Sequence, residues 1–294
     1  MKKIKEDLFA LLFILPSLTA FCFFMFWPLI RTVYLSFFDW NMIKPVKKFV
    51  GLQNYITLLQ DDVTYKVLGN TILYILILLV VNFVLPYIVS FLLSFVIRKG
   101  KSFYKTAFFL PSVISLVVGS ILYVWILNPV TGPVAMILRF FDMQLPIWSK
   151  SEGLVIWILS LITSWKVFGY NFIIVLGGVM GVSQEVIEAA KLDHIPNYKI
   201  FMQIVLPMSS STGVYVLITT IVQGLQYVFT PIKVVTQGGP NYASSNLIYQ
   251  SYHEAFTLYK TGEASAFSVM TMALFILLLV LEFKFVEKGV YYEN

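Results

Sequence analysis

Between two long apolar stretches the chain reads Glu188-Ala189-Ala190-Lys191-Leu192-Asp193-His194-Ile195-Pro196, and Ile204-Val205-Leu206-Pro207 follows shortly after. The first segment has the composition of a short polar helix that ends at a turn, because proline cannot continue a helix. A charged, ordered segment between two membrane-crossing stretches is unusual without a partner that binds it. We therefore interpret residues 182–203 as a helical hairpin that docks another protein.

The composition places this hairpin in a membrane protein. The 294 residues are 59% hydrophobic and 12% charged, whereas soluble domains have about 25% charged residues. A helix needs about 20 apolar residues to cross the hydrocarbon core. The stretches that are long enough are about 8–30, 70–97, 106–127, 154–180, 204–229 and 265–286. They are continuously apolar rather than alternating, so the sequence predicts an all-α membrane protein with six spans in a single domain, 1–294, and not a β-barrel.

Basic residues concentrate at two places, at the N-terminus and after the second apolar stretch. They are Lys2, Lys3 and Lys5, and Arg98, Lys99, Lys101 and Lys105. The positive-inside rule predicts that both places are cytoplasmic. Six spans then put the C-terminal tail, with Lys284 and Lys288, on the same side. The basic residues of the longer segment 31–66 would lie outside. The net charge of +6 reflects this orientation and not nucleic-acid binding, since no basic stripe lies on a soluble face.

The chain offers little for catalysis or metal binding. It has one cysteine, Cys22, and two histidines, His194 and His253, which are far apart in sequence. These counts exclude an intramolecular disulfide and argue against a metal or Ser/His/Asp site. No Gly-x-x-x-x-Gly-Lys-Ser/Thr loop is present, so we expect no cofactor in this chain and no ATP hydrolysis by it.

Two other classes of membrane protein stay open as alternatives. A membrane-embedded lipid transferase would need a cluster of acidic residues at a membrane face for a metal–phosphate site, and the predicted spans contain almost none. A secondary transporter or channel would carry buried charges or two matching broken halves, and neither is found in the sequence.

The hairpin has the local signals of a capped helix over 183–193. Ser183 is a suitable N-cap and Glu185 lies in the first turn, where the helix dipole favours an anion. Val182 and Ile187 occupy the two positions of a hydrophobic staple. Val186, Ile187 and Ala190 are predicted to share one face. Asn197 is predicted to cap a second helix that leads into span five.

The whole hairpin resembles the signature loop of ABC importer permeases, which reads Glu-Ala-Ala, two further residues, Asp-Gly and then Ile-x-Leu-Pro. The matching positions are Glu188, Ala189, Ala190, Asp193, Ile204, Leu206 and Pro207. His194 stands where the family has glycine. Glycine there suggests a left-handed backbone, which histidine tolerates better than most residues.

The resemblance extends over most of the chain and points to the carbohydrate-type branch, the relatives of maltose and glycerol-phosphate permeases. The segments that carry it are Leu15-Pro16, Leu35–Trp40, Phe49–Tyr55, Asn70-Thr71, Leu110–Ser115, Thr236–Pro240 and Tyr249–Phe256. It implies a type I ABC importer transmembrane domain, which forms half of the pathway of an ATP-driven importer for a sugar, oligosaccharide or related polyol. The implied location is the bacterial cytoplasmic (inner) membrane, crossed several times with both termini cytoplasmic.

The same resemblance implies the partners and the docking residues. The partners are a second permease subunit, two ATPase subunits that bind ATP and Mg²⁺, an extracytoplasmic solute-binding protein, the solute and membrane lipid, with no nucleic acid. The residues expected to couple to the ATPase are Glu185, Glu188, Ala189, Ala190, Asp193, His194 and Pro207.

Polar side chains inside the spans are candidates for solute contact, because polar groups are costly in lipid and are usually functional or interhelical. The candidates are Trp165, Tyr170, Asn171, Gln223, Gln226, Tyr227 and Asn82. Amides and hydroxyls beside aromatic faces suit a sugar, and Tyr170 falls where sugar-type permeases place a solute contact. The alternative is that Asn82, Gln223 and Gln226 only bond neighbouring helices. Lys166 is expected to reach toward the outer surface.

Overall fold

The computed structural model describes the backbone of residues 2–286 and the side chains of residues 12–284. Lys288 of the predicted cytoplasmic tail lies outside the described residues, and the side chains of Lys2, Lys3 and Lys5 lie outside the described side chains. The described chain groups into two compact units. One contains the chain up to Asp62 and Gln250–Ala273; the other contains Val63–Tyr249 and the chain from Leu274.

Helices make up most of the described chain, and several include a π-helical turn that leaves the helix continuous. The first half contains α1 (Lys2–Phe21, Cys22–Phe26 and Trp27–Leu35), β1 (Phe38–Asp39), β2 (Lys48–Phe49), α2 (Gln53–Gln60), α3 (Asp62–Val96), α4 (Lys101–Val113), α5 (Leu116–Ile126) and α6 (Pro133–Arg139). The second half contains a short 3-10 turn (Trp148–Lys150), α7 (Glu152–Met180), α8 (Gln184–Leu192), α9 (Asn197–Ile200, Phe201–Val205 and Leu206–Met208), α10 (Ser210–Thr236), α11 (Leu247–Phe256) and α12 (Thr261–Val286).

Within the described residues, five helices are long and apolar enough to cross a membrane, and a bent pair brings the number to six if it counts as one span. The five are Leu12–Leu35 of α1, all of α3, α7 and α10, and Thr261–Lys284 of α12. The predicted fold class, an all-α membrane protein with six transmembrane helices, is confirmed. The boundaries differ from the predicted ones because helix ends are set by caps and turns, which the apolar pattern does not record.

The predicted third span, 106–127, is not one helix. It is divided between α4 and α5, which meet at an angle of 103°. Pro111 in the last turn of α4 has no N–H to continue the ladder. The backbone of Ile114 is extended, with φ −78° and ψ 140°, so the helix ends there and restarts in a new direction at Leu116.

The first unit is organised around a short β-hairpin, in which Phe38 pairs with Phe49. The buried Asn54 amide donates to the Ser36 carbonyl at 2.8 Å and to the Phe38 carbonyl at 3.0 Å. A Cβ on Gly262 would overlap the Phe38 carbonyl, so glycine allows the two backbones to approach closely. These contacts explain the composition of the segments around 35–40 and 49–55.

The second unit is built around α7, which packs against α3, α4 and α10. Small residues allow close approach, as is usual between membrane helices. A Cβ on Gly169 would meet the Phe108 carbonyl of α4, and a Cβ on Gly178 would lie 2.5 Å from Thr212 Oγ1 of α10. An apolar cluster that includes Phe91, Val175 and Val216 joins the ends of these helices to the hairpin.

Candidate coupling hairpin and solute cavity

The hairpin predicted over 182–203 is present, with α8 as its first helix and the beginning of α9 as its second. Val182 and Ile187 are both buried in one apolar cluster, as the staple predicts. Ala190 is in the same cluster, but Val186 is 41% exposed. Val186 thus lies at the exposed edge of the predicted face, and only Ile187 and Ala190 are buried on it. It lies about 70° around the helix from the middle of the stripe formed by Ile187 and Ala190.

The turn after α8 keeps the geometry that glycine would give. His194 has φ 55°, a left-handed conformation. Its N–H donates to the Lys191 carbonyl at 3.1 Å, and the Ile195 N–H donates to the Ala190 carbonyl at 3.0 Å. These two bonds form a Schellman motif, in which the residue after the helix cap is left-handed. The turn is therefore formed with histidine at the position where the family has glycine.

The second helix begins differently from the prediction. Asn197 is its first residue and Pro196, extended at φ −67° and ψ 147°, precedes it at the N-cap position. The Pro196 carbonyl accepts the N–H of Lys199 at 2.9 Å and of Ile200 at 3.1 Å. Proline fits this position because its fixed φ suits a helix start and it has no N–H to leave unpaired. The prediction that Asn197 caps this helix was therefore wrong.

The predicted coupling residues do not all face outward. Glu185, Glu188, Ala189, Asp193 and His194 are exposed, and so is Pro207 in α9. Ala190 is 5% exposed and packs against the hairpin's own core. The structure thus offers an outer face of acidic residues around Ala189, and it places Ala190 behind that face.

The hairpin is fastened to the end of α3. Lys191 Nζ donates to the Phe95 carbonyl at 3.1 Å, where the last carbonyls of a helix lack partners of their own. Ile200 and Val205 are fully buried in the same cluster as Phe91 of α3. A displacement of α8 is therefore passed to α3 through both a hydrogen bond and apolar contacts.

Three of the predicted solute contacts converge on one cavity of about 180 Å³ between α4, α7 and α10. Tyr170, Gln223 and Tyr227 line it, together with Lys166 and Ser112. Tyr170 is 46% exposed and Tyr227 is 37% exposed. With Phe109 also in the lining, the cavity presents neutral hydrogen-bonding groups, three aromatic rings and one cation.

Asn82 and Asn171 lie elsewhere, buried at the contact of three helices. Asn171 Nδ2 donates to the Asn82 carbonyl at 2.7 Å and to Thr220 Oγ1 at 2.8 Å. Asn82 Nδ2 donates to Ser164 Oγ at 3.0 Å. These bonds join α3, α7 and α10, which for Asn82 matches the alternative that it bonds neighbouring helices; Asn171, predicted as a solute contact, does the same.

Trp165 and Gln226 do not line the cavity either. The Trp165 ring packs edge-on against Tyr123 of α5 at a centroid distance of 5.5 Å, and a Cβ on Gly119 would lie 3.2 Å from it. Trp165 therefore packs α5 against α7. Gln226 is exposed on α10, on the outside of the described chain.

Lys166 has a function that the sequence did not reveal. Its Nζ donates to the Ser112 and Ile114 carbonyls, both at 2.7 Å. The ammonium thus caps the broken end of α4, where carbonyls are unpaired and the helix dipole is negative. The expectation that Lys166 reaches the outer surface was wrong.

The sequence profile of the family described as "Binding-protein-dependent transport system inner membrane component" matches residues 98–290, which include the hairpin and the cavity. The chain belongs to this family. As a binding-protein-dependent transport permease it is a multi-pass inner-membrane protein. The predicted assignment to ABC importer permeases is confirmed, and a lipid transferase, secondary transporter or channel does not fit a member of this family.

Similar proteins support the same assignment for this permease. "Probable ABC transporter permease protein YurN" of Bacillus subtilis (strain 168) is 31% identical over 281 residues, which cover 95% of this chain and 96% of that protein. The "sn-glycerol-3-phosphate transport system permease protein UgpA" of Agrobacterium fabrum is 28% identical over 282 residues, which cover 96% of this chain and 95% of that protein.

The fold is shared with a solved importer. A chain from the crystal structure of a bacterial ABC transporter involved in the import of the acidic polysaccharide alginate superposes with a TM-score of 0.84 at 21% identity, and the match covers 98% of both chains. The permease is thus a non-catalytic transmembrane subunit whose ATPase is separate. It functions with a second permease, ATPase subunits and an extracytoplasmic solute-binding protein.

Proposed function

We propose that this permease carries a sugar, oligosaccharide or related polyol, and that the cavity between α4, α7 and α10 is its part of the pathway. The observation that carries the proposal is the convergence of Tyr170, Gln223 and Tyr227 on that cavity. Hydroxyl and amide groups bond the hydroxyls of a sugar, and the aromatic rings cover its C–H faces. The names of two similar proteins, an sn-glycerol-3-phosphate permease and an alginate importer, support a polyhydroxylated solute.

The size of the cavity supports a pathway shared with a second subunit. Its 180 Å³ is below the roughly 300–1,000 Å³ of sites that enclose a small ligand. The second permease subunit supplies the remaining wall, and the exposed Gln226 of α10 faces that shared space. A solute of several sugar units would pass between the two subunits.

The hairpin docks one ATPase subunit through Glu185, Glu188, Ala189 and Asp193. These side chains are exposed, while the apolar cluster behind them continues into α3, α7 and α10. In the assembled importer two ATPase subunits bind ATP and Mg²⁺. Their closure moves the hairpin, and the packed cluster transmits this movement to the cavity as a hinge-type domain motion.

Both termini and the hairpin lie in the cytoplasm, and the loop at 238–240 lies outside. The basic residues Arg98, Lys99, Lys101 and Lys105 support this orientation. A single cysteine at Gly239, introduced after Cys22 is replaced, should react with an impermeant maleimide in intact cells. Labelling only after the cytoplasmic side is opened would reverse the proposed orientation.

Transport in proteoliposomes that contain the whole importer tests the solute site. We expect Tyr170→Ala, Gln223→Ala and Tyr227→Ala to lower the uptake of the cognate sugar without changing the affinity of the binding protein, which captures the solute before the membrane step. Thr219→Ala is the matched control, because the Thr219 hydroxyl bonds its own helix at Tyr215 and lies outside the cavity lining.

Two results would count against the proposal. If the three cavity variants transport at the rate of Thr219→Ala, the site lies elsewhere, either on the partner subunit or at another surface. If a panel of sugars and polyols fails to bind the cognate binding protein while an amino acid or peptide binds, the solute class is wrong.

A further inference from the structure

A second cavity lies where two membrane-spanning helices end, away from the solute cavity. It has a volume of about 380 Å³ and is enclosed by the ends of α3 and α7, the start of α4 and the start of α8. Lys101 and Lys105 of α4 line it. Because α3 and α7 are both long enough to cross the membrane and both end here, the cavity lies at a membrane surface.

The charged side chains that line this cavity are all positive. Lys101 Nζ donates to the Ser94 carbonyl at 3.0 Å, and Lys105 Nζ lies 4.0 Å from Met180 Sδ. Neither ammonium forms an ion pair with a carboxylate of the described residues. No aspartate or glutamate is among the residues that line the cavity. Two cations therefore share a cavity without an anion.

The start of α8 adds further donors to the same cavity. Ser183 and Gln184 line it, and the Ser183 hydroxyl does not cap the helix. The first N–H groups of a helix lack partners within it and carry a partial positive charge, so they attract anions. Two ammonium groups and a helix start are the donor set that commonly binds phosphate.

Apolar side chains also line the cavity beside the two lysines: Leu93 and Leu176, which are buried, and Phe95 and Met180. We propose that the cavity binds a phosphate-bearing anion, and that this anion is the headgroup of an anionic phospholipid. Phosphate oxygens would meet Lys101, Lys105 and the start of α8, while the first carbons of the lipid would lie against Phe95 and Met180. A free phosphate would bond the same donors but would make no contact with the apolar residues of the lining.

Such a lipid would connect the membrane surface with the docking helix. It would touch α8 at Ser183 and Gln184 and α4 at Lys101 and Lys105, so its presence would hold the start of the hairpin against the span ends. This function is independent of the transported solute.

Native mass spectrometry of the purified importer complex tests the proposal. The complex is equilibrated in detergent with equal amounts of phosphatidylglycerol and phosphatidylcholine, and the retained lipids are counted. We expect a preference for phosphatidylglycerol that falls at least about fivefold in the Lys101→Gln/Lys105→Gln double variant. Lys99→Gln is the matched control, since it removes one charge from the same loop but Lys99 lies outside the cavity lining. It should change the preference by less than about twofold.

A second measurement uses the unmutated protein, so its result does not depend on whether the double variant folds. Acylation of the Lys105 amine by a succinimidyl ester should be slower in vesicles of phosphatidylglycerol than in vesicles of phosphatidylcholine alone. If inorganic phosphate protects Lys105 equally well in phosphatidylcholine vesicles, the phosphate site stands and its assignment to a lipid is overturned.

Two other results would overturn the site itself. An equal loss of phosphatidylglycerol in Lys99→Gln and in the double variant would mean that the preference is diffuse surface attraction. No lipid preference in the unmutated complex, together with loss of the ATPase from the double variant, would mean that the two lysines bind the partner protein instead.

Discussion

Replacing Lys166 with methionine should destabilise the corner between α4 and α5. The variant keeps the apolar stem but removes the two hydrogen bonds, each of 2.7 Å, to the Ser112 and Ile114 carbonyls. A hydrogen bond to a charged group contributes about 1.5–3 kcal/mol in soluble proteins, whereas side-chain bonds between membrane helices average about 0.6 kcal/mol. Lys166 is half-buried beside a cavity large enough for water. We therefore expect a loss of about 1–3 kcal/mol for the two bonds together.

A loss of this size lowers the folding equilibrium constant by a factor of about 5–150. It can be measured by titrating the purified protein in micelles with sodium dodecyl sulfate and following tryptophan fluorescence. Lys166→Arg retains donors at the same position and should recover most of the loss. Lys150→Met removes an exposed charge and should leave the midpoint unchanged. If Lys166→Met and Lys150→Met unfold at the same midpoint, the carbonyls at the end of α4 do not need the ammonium and the reasoning is wrong.

Three further predictions concern the hairpin and the helix contacts. Glu188→Lys reverses an exposed charge and should weaken co-purification of the ATPase about tenfold or more without lowering thermal stability; an unchanged ATPase yield would remove Glu188 from the docking face. His194→Gly should keep the turn and raise the unfolding free energy by up to about 1 kcal/mol, whereas His194→Val should lower it by about 1–2 kcal/mol, since His194 is left-handed; equal values in a denaturation series would contradict this. Gly169→Ala should cost about 1–3 kcal/mol because its Cβ would meet the Phe108 carbonyl, while Gly177→Ala, which meets nothing within 4 Å, should be close to neutral; equal thermal midpoints for the two variants would refute the close contact.

The sequence was informative where structure depends on neighbouring residues. The staple between Val182 and Ile187 and the left-handed turn at His194 follow from residues within one hairpin, so their pattern could be recognised without tertiary contacts. The spans were recognised for the same reason, because a long apolar stretch can satisfy its backbone in lipid only as a helix.

Prediction failed where two distant segments decide the outcome. Lys166 bonds the carbonyls of Ser112 and Ile114, more than fifty residues earlier. No pattern in the residues around Lys166 predicts these two acceptors. The sequence also did not show which face of a membrane-spanning helix lines the cavity. Tyr170 lines the cavity while its neighbour Asn171 is buried, and a stretch that is apolar on every side gives no periodicity from which to tell the two directions apart.

The buried amide of Asn171 has a mechanical consequence. It holds the Asn82 carbonyl of α3 and the Thr220 hydroxyl of α10 at once, so sliding any one of the three helices past the others breaks at least one bond in a region without water to replace it. We therefore expect α3, α7 and α10 to move together as one rigid unit. We expect opening and closing of the pathway to change the corner between α4 and α5 and the contact with the second subunit more than the contacts among α3, α7 and α10.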